Sequence, residues 1–277
     1  MHIKLNIAMK KIGVLGCGWL GLPLAKFIAK NGYSVNGSNT GPNKSELLKE
    51  HNIKSFIVKI NENGIEGDLN FFKKIDFLII TIPPGLKKNP NERFERKIEI
   101  CKNTIEKYGI KEVVFISSIS VYGELNGIVT ENSSIKPISN SANQLVSCEK
   151  ILINSSRFKT VILRMGGLIG NTRHPIYNLS KRENILNPLG RINFIHIDDS
   201  INIIFQIIDK FHENEIYNCV SPFHPTRKKY YTSVAKLKGL NIPTFQGEKK
   251  NEKMVSSKKI INLLNYKFKV KNLLMSF

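Results

Sequence analysis

The sequence predicts an α/β fold built on a doubly wound parallel sheet, followed by a small C-terminal lobe. Short apolar runs rich in branched residues alternate with longer segments of helical periodicity along most of the chain. That alternation is typical of a parallel sheet covered by helices on both faces. A glycine-rich turn also separates the first apolar run from the first helical segment, as in the opening unit of such sheets. With 277 residues, the chain can bury one substantial core.

The first βαβ unit is predicted from the residues around this turn. A β-branched apolar run from Lys11 to Leu15 stops at a glycine cluster, as a buried parallel strand does. Apolar residues then recur at helical spacing up to Ile28, and Gly32 is placed to end the helix. The segment from Tyr33 to Gly37 is the second predicted strand.

The later elements follow from the same periodicities. Further strands are predicted at 55–60, 77–82, 112–118, 160–163 and 192–197. Helices are predicted at 93–108, 145–153 and 201–210, the last with N-cap side chains offered by Asp198, Asp199 and Ser200. Proline and glycine interrupt the pattern from Asn171 to Arg191, which indicates an excursion away from the sheet.

These elements predict the domain organisation. Residues 9–170 and 192–220 are expected to form the sheet domain, and residues 171–191 and 221–277 the small lobe. Residues 1–8 precede the first predicted strand and are expected to be a dispensable extension or a misplaced start.

The composition argues against several classes of protein. Apolar residues make up 41% and charged residues 23% of the chain, close to the averages of globular proteins. No apolar run approaches the roughly 20 residues that span a bilayer, and the first residues do not resemble a secretory signal. The four cysteines form no C-x-x-C pair, so no metal site or redox dithiol is expected. A reducing cytoplasm is the expected location.

The chain is strongly basic, with a formal net charge of +20 and a pI near 9.8. Such a charge meets one criterion for a nucleic-acid partner, but the lysines are spread along the chain and no recognition motif accompanies them. We therefore expect a small-molecule substrate, with attraction of anionic compounds, rather than nucleic acid or a membrane. Monomer and homodimer both remain open.

The glycine-rich turn matches the dinucleotide-binding fingerprint, because it follows a predicted strand and opens a predicted helix. Gly16 permits a tight turn, Gly18 lets the backbone approach a pyrophosphate, and Gly21 lets helix and strand pack closely. The start of the helix then offers N–H groups and the positive end of its dipole to the phosphates. The predicted phosphate cradle consists of Gly16, Cys17, Gly18, Trp19, Leu20 and Gly21.

The end of the second strand bears on the choice between NAD and NADP. An NAD site usually has Asp or Glu about 20 residues beyond the glycines, where it holds the ribose hydroxyls. Here that place is taken by Ser38, Asn39 and Thr40, without a carboxylate, and Lys44 follows. These groups suit the 2′-phosphate of NADP, which is therefore favoured over NAD, although the same residues can simply form a turn. Three residues at later strand ends are expected to complete the cofactor site: Thr81, Pro83 and Ser117.

Beyond the glycine motif, the chain resembles the extended branch of the short-chain dehydrogenase/reductase superfamily, the NAD-dependent epimerase/dehydratase group, over nearly all of residues 9–277. The matching stretches are Gly16–Gly21, Ile116–Gly123, Leu163–Gly170 and Asn193–Asp199. Within this group it is similar to an atypical subgroup, which is marked by Gly-Cys-Gly-Trp-Leu-Gly, Ile82–Gly85, Arg173–Pro175 and His224–Arg227. The resemblance implies a Rossmann-like domain, a nicotinamide cofactor and a small substrate lobe.

One departure from the family pattern concerns the catalytic pair. The family places Tyr-x-x-x-Lys on the helix after the Ser-Val-Tyr-Gly segment, where the Tyr exchanges a proton with substrate and the Lys lowers its pKa. On the family's spacing these positions fall on Ser141 and Leu145, and neither residue can perform those tasks. Ser118 aligns with the family's substrate-polarising hydroxyl; alternatively, it satisfies backbone groups at a strand end. Tyr122 is the nearest alternative proton donor, although packing is its expected role.

The substrate side is predicted from polar residues near later strand ends. Arg173 and His174 follow a strand at the carboxyl edge of the sheet, where they can bind an anionic substrate or move a proton. Anion binding is favoured over catalysis, and a purely structural role is the alternative. His196 is expected to pack at a strand end, with substrate contact as the alternative. Arg227 is expected to close the pocket from the small lobe, or to be exposed beside core aromatic residues.

The residues leave two functions open. The first is an NAD(P)-dependent oxidoreductase or epimerase/dehydratase-like enzyme that acts on a small polar, anionic or nucleotide-linked compound. The second is a catalytically silent NAD(P)-binding sensor or regulatory protein, which the absence of the Tyr and Lys favours. The predicted catalytic residues are Ser118, Tyr122 and His174, and the predicted substrate contacts are Arg173, His174, His196 and Arg227.

Overall fold

The structure is a computed structural model that describes residues 10–86, 88–170, 172–247 and 252–274. Its strands are β1 (Lys11–Leu15), β2 (Ser34–Asn39), β3 (Ile53–Ile60), β4 (Ile65–Gly67), β5 (Phe77–Ile80), β6 (Glu112–Ser118), β7 (Ile128–Val129), β8 (Lys159–Met165), β9 (Gly167–Ile169), β10 (Ile185–Leu186), β11 (Phe194–His196), β12 (Ile216–Cys219), β13 (Phe245–Gln246) and β14 (Met254–Val255). Its α-helices are α1 (Gly21–Lys30), α2 (Ser45–Lys49), α3 (Phe94–Tyr108), α4 (Asn140–Ile153), α5 (Ile176–Leu179), α6 (Ile197–Asp209), α7 (Arg227–Leu237) and α8 (Lys258–Leu264).

Eight strands form a central sheet in the order β12-β8-β6-β5-β1-β2-β3-β4. β1 pairs in parallel with β2 on one side and with β5 on the other, and β5 pairs in parallel with β6. The short edge strand β4 runs antiparallel to β3. The chain thus builds from β1 out to β3 and then returns to add β5 and β6 on the opposite side, which confirms the predicted α/β class. In open sheets of this kind ligands bind where the strand order reverses, here beside the carboxyl end of β1.

The central strands are apolar throughout because both of their faces are covered. All four residues of β5 are buried, and β1 is buried from Ile12 to Leu15. The flanking helices are amphipathic, and α3 directs one face inward through Phe94, Ile98, Cys101 and Ile105. This helix ends at Gly109, whose φ of 70° is a left-handed conformation that glycine adopts readily.

The described residues divide into two compact units. Unit 1 comprises the described parts of Met1–Ile116, Ser147–Ile162 and Phe211–Glu215, and it contains β1 to β5. Unit 2 comprises the described parts of Ser117–Val146, Leu163–Lys210 and Ile216–Phe277. Unit 2 contains three two-stranded parallel sheets, which pair β9 with β11, β10 with β13 and β7 with β14. The predicted domain division is drawn at other positions and stays a prediction.

A core cluster in unit 2 is completed by residues close to the end of the described chain. The cluster consists of Ile169, Ile176, Ile192, Tyr230, Tyr231, Val234, Ala235 and Leu273. The Tyr230 hydroxyl donates to the Leu273 carbonyl oxygen at 3.4 Å. Leu273 therefore belongs to the core of unit 2 and not to a surface tail.

Asp199 fixes the segment that leads to Leu273. This carboxylate is fully buried, and its Oδ1 accepts from the Tyr266 hydroxyl at 2.6 Å and from the Lys269 N–H at 2.8 Å. Its Oδ2 accepts from the Val270 N–H at 3.1 Å. One side chain at the start of α6 thus satisfies three donors of the C-terminal segment, which compensates for its own burial.

Some predicted elements need correction. β1 and β6 begin and end as predicted. The predicted strand at 192–197 is wrong in extent, since β11 covers Phe194–His196 and pairs with β9 in a separate small sheet. The predicted N-caps of α6 are also wrong, because the helix begins at Ile197 and His196 caps it by accepting from the Asp198 N–H at 3.3 Å. Because the His196 imidazole accepts this hydrogen bond and the helix begins at Ile197, the three residues predicted as caps lie inside the first turn.

Within the described ranges, no helix is long and apolar enough to cross a membrane. The same part of the chain contains no cluster of three or more His, Cys, Asp or Glu side chains that could hold a metal ion. The cysteines Cys17, Cys101, Cys148 and Cys219 are buried free thiols. Burial raises the pKa of Cys17 and of Cys101 to about 12, so both thiols stay protonated and unreactive near neutral pH.

Candidate cofactor and substrate site

The turn between β1 and α1 is held by hydrogen bonds from both sides. The Gly16 N–H donates to Ser38 Oγ at 2.9 Å, and the Cys17 N–H donates to the Ser38 carbonyl oxygen at 2.7 Å. From the other side, the Thr81 hydroxyl donates to the Gly16 carbonyl oxygen at 2.6 Å. Gly16 has a φ of +103°, which strains any residue with a side chain. The protein's own hydrogen bonds therefore fix the shape of the turn.

Gly21 and Gly18 differ in what a side chain would meet. A Cβ at Gly21 would lie 2.2 Å from the Gly16 carbonyl oxygen and 2.7 Å from Thr81 Oγ1, so the packing of the turn excludes a side chain. A Cβ at Gly18 would have, among the described residues beyond its chain neighbours, the Gly16 carbonyl oxygen as its nearest atom, at 3.9 Å. Gly18 is exposed and lies outside the left-handed region. The fold itself does not require glycine there, and the backbone at this point is not covered by a side chain of residue 18.

The N-terminus of α1 is suited to an anion. The described helix has no side-chain cap at its N-terminus and no acidic residue in its first turn. The positive end of its dipole is thus not neutralised by the helix's own residues. Lys44 adds a cation at the same loop, since its Nζ lies 3.4 Å from the Cys17 carbonyl oxygen. This combination favours binding of a phosphate group.

The side chains of the predicted cradle are not equally accessible. Cys17 and Leu20 are core residues with exposed fractions of 2% and 7%, so their main chain is the part that can serve a ligand. Trp19 is half-buried and Gly18 is exposed. The N–H groups of Gly16, Cys17 and Gly18 already donate within the protein, to Ser38 and to the Gly16 carbonyl oxygen, so a phosphate contact of this loop stays a prediction.

The polar residues at the end of β2 differ in solvent exposure and in their hydrogen-bond partners. Ser38 is 1% exposed, and its hydroxyl is engaged with Gly16, so it braces the turn. Asn39 is 8% exposed; its amide donates to Ser55 Oγ at 3.3 Å and its Oδ1 accepts from the Gly41 N–H at 3.3 Å. Thr40 is exposed. Thr40 and Lys44 are thus the more accessible of these groups, and the cofactor contacts of the whole set stay predictions.

The remaining predicted cofactor residues follow β5 and β6. Thr81 is half-buried and is the residue that braces Gly16. Pro83 is exposed two residues further on, and Ser117 is 4% exposed inside β6. Their contacts with a cofactor are not tested by this geometry.

Ser118 begins a one-turn 3-10 helix that spans Ile119–Tyr122, and we call residues 118–123 the Ser118 turn. Ser118 Oγ accepts from the Ser120 N–H at 3.1 Å and so caps this turn. Gly123 ends it with a φ of 59°, and a Cβ there would lie 2.0 Å from the Lys136 carbonyl oxygen. The capping bond uses the Ser118 oxygen as an acceptor and leaves its O–H as a donor. Ser118 thus has the structural role, and a contact with substrate stays a prediction.

Tyr122 lies in a buried polar network. Its hydroxyl donates to Asn218 Oδ1 at 2.8 Å and accepts from Arg164 Nη1 at 2.9 Å. Arg164 also lies over the Tyr122 ring, with its Cζ 5.0 Å from the ring centroid. Burial raises the pKa of Tyr122, and the Arg164 charge offsets part of that rise. Because Tyr122 is fully buried, this geometry favours the packing role over proton donation to a substrate.

His174 lies in the apolar cluster of unit 2 and is 5% exposed. Its Nδ1 accepts from the Ile176 N–H at 3.0 Å, and its Nε2 lies 3.0 Å from the Tyr230 hydroxyl oxygen. Burial, with a smaller effect of Lys238, lowers the pKa of His174 to about 4. The imidazole is therefore neutral near pH 7, which supports a structural role. The predicted catalytic and anion-binding roles of His174 stay predictions that this geometry does not favour.

The other predicted substrate contacts are spread over unit 2. Arg173 is exposed, and its backbone exchanges two hydrogen bonds of 3.0 Å with Gly170. His196 is 5% exposed and caps α6; among the described residues its Nε2 has no hydrogen-bond partner. Arg227 is half-buried at the start of α7, and its Nε likewise has no hydrogen-bond partner in the described part of the chain. Of these three residues, Arg227 is thus a half-buried cation with a buried donor atom, and its contact with substrate stays a prediction.

Comparison with known proteins identifies the family. A model described as "NAD dependent epimerase/dehydratase family" matches residues 12–219. The chain belongs to this family. It is 30% identical to Protein YeeZ of Escherichia coli (strain K12) over 264 residues, which are 94% of this chain and 96% of that protein.

Solved structures share the epimerase/dehydratase fold of this chain. A functionally unknown conserved protein from Silicibacter pomeroyi DSS gives a TM-score of 0.79 at 18% identity, covering 97% of this chain and 96% of that chain. UDP-glucuronic acid 4-epimerase from Bacillus cereus, in complex with NAD, gives a TM-score of 0.79 at 19% identity, covering 96% of each chain. At these identities the likeness shows the fold alone.

The predicted positions of the family's Tyr-x-x-x-Lys pair, Ser141 and Leu145, lie on α4. Its sequence from Asn140 to Ile153 contains no tyrosine. Ser141 is half-buried and Leu145 is 4% exposed. The alignment of these two residues with the family's pair stays a prediction. A phenol on α4 cannot, however, be the proton donor in this chain.

Sequence reasoning missed Lys253 at the Ser118 turn. Its Nζ donates to the Gly123 carbonyl oxygen. No motif surrounds Lys253, and it is separated from Gly123 by 130 positions. The pairing of β14 with β7 brings the two together, and a pair of two-residue strands gives too short a pattern to be predicted.

Proposed function

We propose that the chain binds a nicotinamide dinucleotide and is an oxidoreductase or epimerase/dehydratase-like enzyme acting on a small polar, anionic or nucleotide-linked compound. The observation that carries the proposal is Gly18, a glycine that the fold does not need, at the point where a diphosphate would meet the backbone. Membership of the NAD-dependent epimerase/dehydratase family supports it. When bound, the nicotinamide group would supply a hydride acceptor or donor.

The loop between β1 and α1 fits a diphosphate. Gly18 leaves room for it, the first turn of α1 carries no acidic residue, and Gly16 is held in position by Ser38 and Thr81. A rigid loop of this kind binds without the entropic cost of ordering itself. These residues would hold the cofactor through its phosphates, which both NAD and NADP carry.

NADP is the proposed form of the cofactor. No carboxylate stands at the end of β2, where one would repel a 2′-phosphate. Lys44 places an ammonium against the loop, and Thr40, directly after β2, is exposed. A cation and a hydroxyl complement a phosphate monoester, whereas ribose hydroxyls alone would favour a carboxylate.

Unit 2 offers groups for the substrate. Ser118 retains its O–H as a donor, and the buried Nε of Arg227 has no hydrogen-bond partner among the described residues. An unpaired buried donor is costly, and an anionic group on the substrate would relieve that cost. One protein of the same fold is a UDP-glucuronic acid 4-epimerase, which supports a nucleotide-linked substrate class. A cytoplasmic location and a monomeric or homodimeric state are part of the same proposal.

The cofactor proposal is tested by thermal unfolding with NADPH, with NADH and without nucleotide. A ligand that binds the native state raises its stability with the logarithm of its concentration, so NADPH is expected to raise the Tm more than NADH. Lys44→Gln should reduce the NADPH shift and leave the NADH shift nearly unchanged. Lys54→Gln, at an exposed position on β3, is the matched control. No shift with either nucleotide would overturn cofactor binding, and equal shifts would overturn the preference for NADP.

One observation favours a second function, a catalytically silent NAD(P)-binding sensor or regulator. α4 contains no tyrosine, so the family's usual proton donor is missing from that helix. The two functions are separated by turnover of UDP-glucose or UDP-glucuronic acid as probes, measured by chromatography of the nucleotide sugars, with absorbance of any NADPH formed from added NADP⁺ as a second readout. Nucleotide binding without turnover of either probe would favour the sensor.

A further inference from the structure

Arg227, the first residue of α7, has a buried donor atom that the fold leaves unused. Its Nε is buried without a hydrogen-bond partner, and within the described ranges its side chain forms no hydrogen bond or ion pair. A guanidinium keeps its charge throughout the pH range of a folded protein, so a buried N–H of this group without an acceptor is costly. Nothing polar in the described part of the chain therefore accounts for a charged side chain at this position.

Tyr231 lies one turn further along α7 and also lacks a polar partner. It is 5% exposed, and its ring packs edge-to-face against Tyr230 and Phe194, with centroid distances of 5.4 and 6.4 Å. Among the described residues its hydroxyl has no hydrogen-bond partner, whereas the hydroxyl of Tyr230 bonds to His174 and Leu273. Buried phenols usually find such a partner. The Tyr231 ring is thus fixed by packing while its O–H stays available.

The two side chains lie on the same face of α7. Residues four apart in an α-helix are about 6 Å apart along its axis, so Arg227 and Tyr231 are neighbours. Burial raises the pKa of Tyr231 to about 12, and the nearby Arg227 charge offsets part of that rise. Tyr231 therefore keeps its proton near pH 7 and remains a donor. Together the two residues offer a cation and a neutral O–H, and both need an acceptor.

The surroundings of this pair favour an anion held by side chains. The sequence contains no Asp or Glu from Ser221 to Gln246. The first two main-chain N–H groups of α7 are already used, since that of Arg227 donates to the Gly190 carbonyl oxygen at 2.8 Å and that of Lys228 to the Pro188 carbonyl oxygen at 3.0 Å. A ligand at the start of α7 would therefore meet the guanidinium and the phenol rather than the backbone.

We propose that Arg227 and Tyr231 bind a phosphate group of the substrate, with the guanidinium and the phenol O–H donating to its oxygens. This assignment rests on the proposed function, since it names the group by which the substrate of that enzyme is held. A carboxylate is matched by a guanidinium alone in a bidentate pair, whereas a second donor beside it suits the larger number of oxygens of a phosphate. The phosphate can belong to a phosphomonoester or to a nucleotide diphosphate, and the binding experiment separates these two sources.

Binding is measured by isothermal titration calorimetry of the full-length protein, saturated with NADPH, with UDP and with glucose 1-phosphate. Arg227→Gln and Tyr231→Phe are each expected to raise the Kd of the tighter probe by about tenfold or more, as the loss of a hydrogen bond to a charged group does. Lys236→Gln, at an exposed lysine of the same helix, is the control and should leave the Kd nearly unchanged. Tighter binding of UDP would assign the phosphate to a nucleotide-linked substrate, and tighter binding of glucose 1-phosphate to a phosphomonoester.

Thermal unfolding without ligand separates loss of binding from loss of the fold. Tyr231→Phe removes a hydroxyl that has no partner in the described ranges, so its Tm should not fall. Tyr230→Phe removes the hydrogen bonds to His174 and Leu273, so it should lower the Tm and leave the Kd unchanged.

An unchanged Kd in either Arg227→Gln or Tyr231→Phe overturns the proposal, and so does a wild-type protein that binds neither phosphate probe. The titrations are repeated without NADPH. Phosphate binding by a protein whose Tm does not respond to NADPH would refute the proposed function but not the phosphate site.

Discussion

Alanine at position 18 is expected to weaken nucleotide binding without weakening the fold. The added Cβ would meet open space, since its nearest recorded atom is the Gly16 carbonyl oxygen at 3.9 Å. Gly18 does not have a positive φ, so alanine fits its backbone conformation. A compatible Gly→Ala change stabilises a protein by about 0.4–1 kcal/mol through the unfolded state. For a chain of this size that corresponds to a rise in Tm of about 1–4 °C.

Gly18→Ala is expected to weaken nucleotide binding although it stabilises the ligand-free protein. At a nucleotide concentration of about 100 times Kd, the ligand stabilises the native state by about 2.7 kcal/mol. If the methyl group holds the diphosphate away from the backbone and raises Kd about a hundredfold, the same concentration gives about 0.4 kcal/mol. The NADPH-induced shift in Tm should therefore nearly vanish, while the ligand-free protein unfolds at the same or a higher temperature.

Gly21→Ala provides the contrast. There a Cβ would lie 2.2 Å from the Gly16 carbonyl oxygen, so the turn must distort, at a cost of about 1–3 kcal/mol or more. Differential scanning fluorimetry gives the Tm of each variant with and without NADPH. The reasoning is refuted if Gly18→Ala keeps the full NADPH shift, because the open space at that position would then not be the ligand's.

Three further predictions concern unit 2. Asp199→Asn should destabilise the native state by about 2–4 kcal/mol in urea unfolding, because an amide cannot accept from all three donors that the carboxylate satisfies. Asp198→Asn, at a side chain that is 62% exposed, should change the free energy of unfolding little, and equal destabilisation by the two variants would contradict the reasoning. Folding lowers the pKa of His174 from its ordinary 6.5 to about 4, so the unfolded state takes up the proton first when the pH is lowered. The free energy of unfolding should therefore be unaffected by His174 above about pH 6.5 and should decrease toward pH 4, by up to about 3 kcal/mol. His174→Asn should remove that component of the pH dependence, and an unchanged slope of unfolding free energy against pH would count against it. Ser118→Ala should lower kcat on any nucleotide sugar that is turned over, with Ser120→Ala as the exposed control.

The fold was largely predictable because its signals are local. β1 and β6 are continuous apolar runs bounded by glycine or polar residues, and both begin and end where the sequence indicates. The glycine turn was predictable for the same reason, since strand, turn and helix follow one another within about 20 residues. The different roles of Gly18 and Gly21 were predicted as well, but the part that Thr81, after β5, takes in excluding a side chain at Gly21 could not be predicted, because Thr81 is 60 residues away in the chain.

Unit 2 was less predictable because its contacts link distant parts of the chain. His196 was expected to pack at a strand end, yet it also caps α6 in place of three residues with stronger capping preference. Asp199 was predicted as a cap but instead bonds to a segment about 70 residues later. Lys253 has no sequence signal, since strands of two residues carry no periodicity. Burial of His174, which decides its charge, likewise comes from Tyr230 in a later helix.

The place of Leu273 in the core of unit 2 has a consequence during protein synthesis. Unit 2 begins at Ser117, but its apolar cluster lacks a member until Leu273 has left the ribosome. Most of Met1–Ile116 is available to fold while translation continues, whereas Ile169 and Ile176 must wait with their apolar surfaces exposed. The nascent chain therefore carries a half-built lobe from the synthesis of Ile169 until that of Leu273, which is the interval in which a chaperone would be most useful.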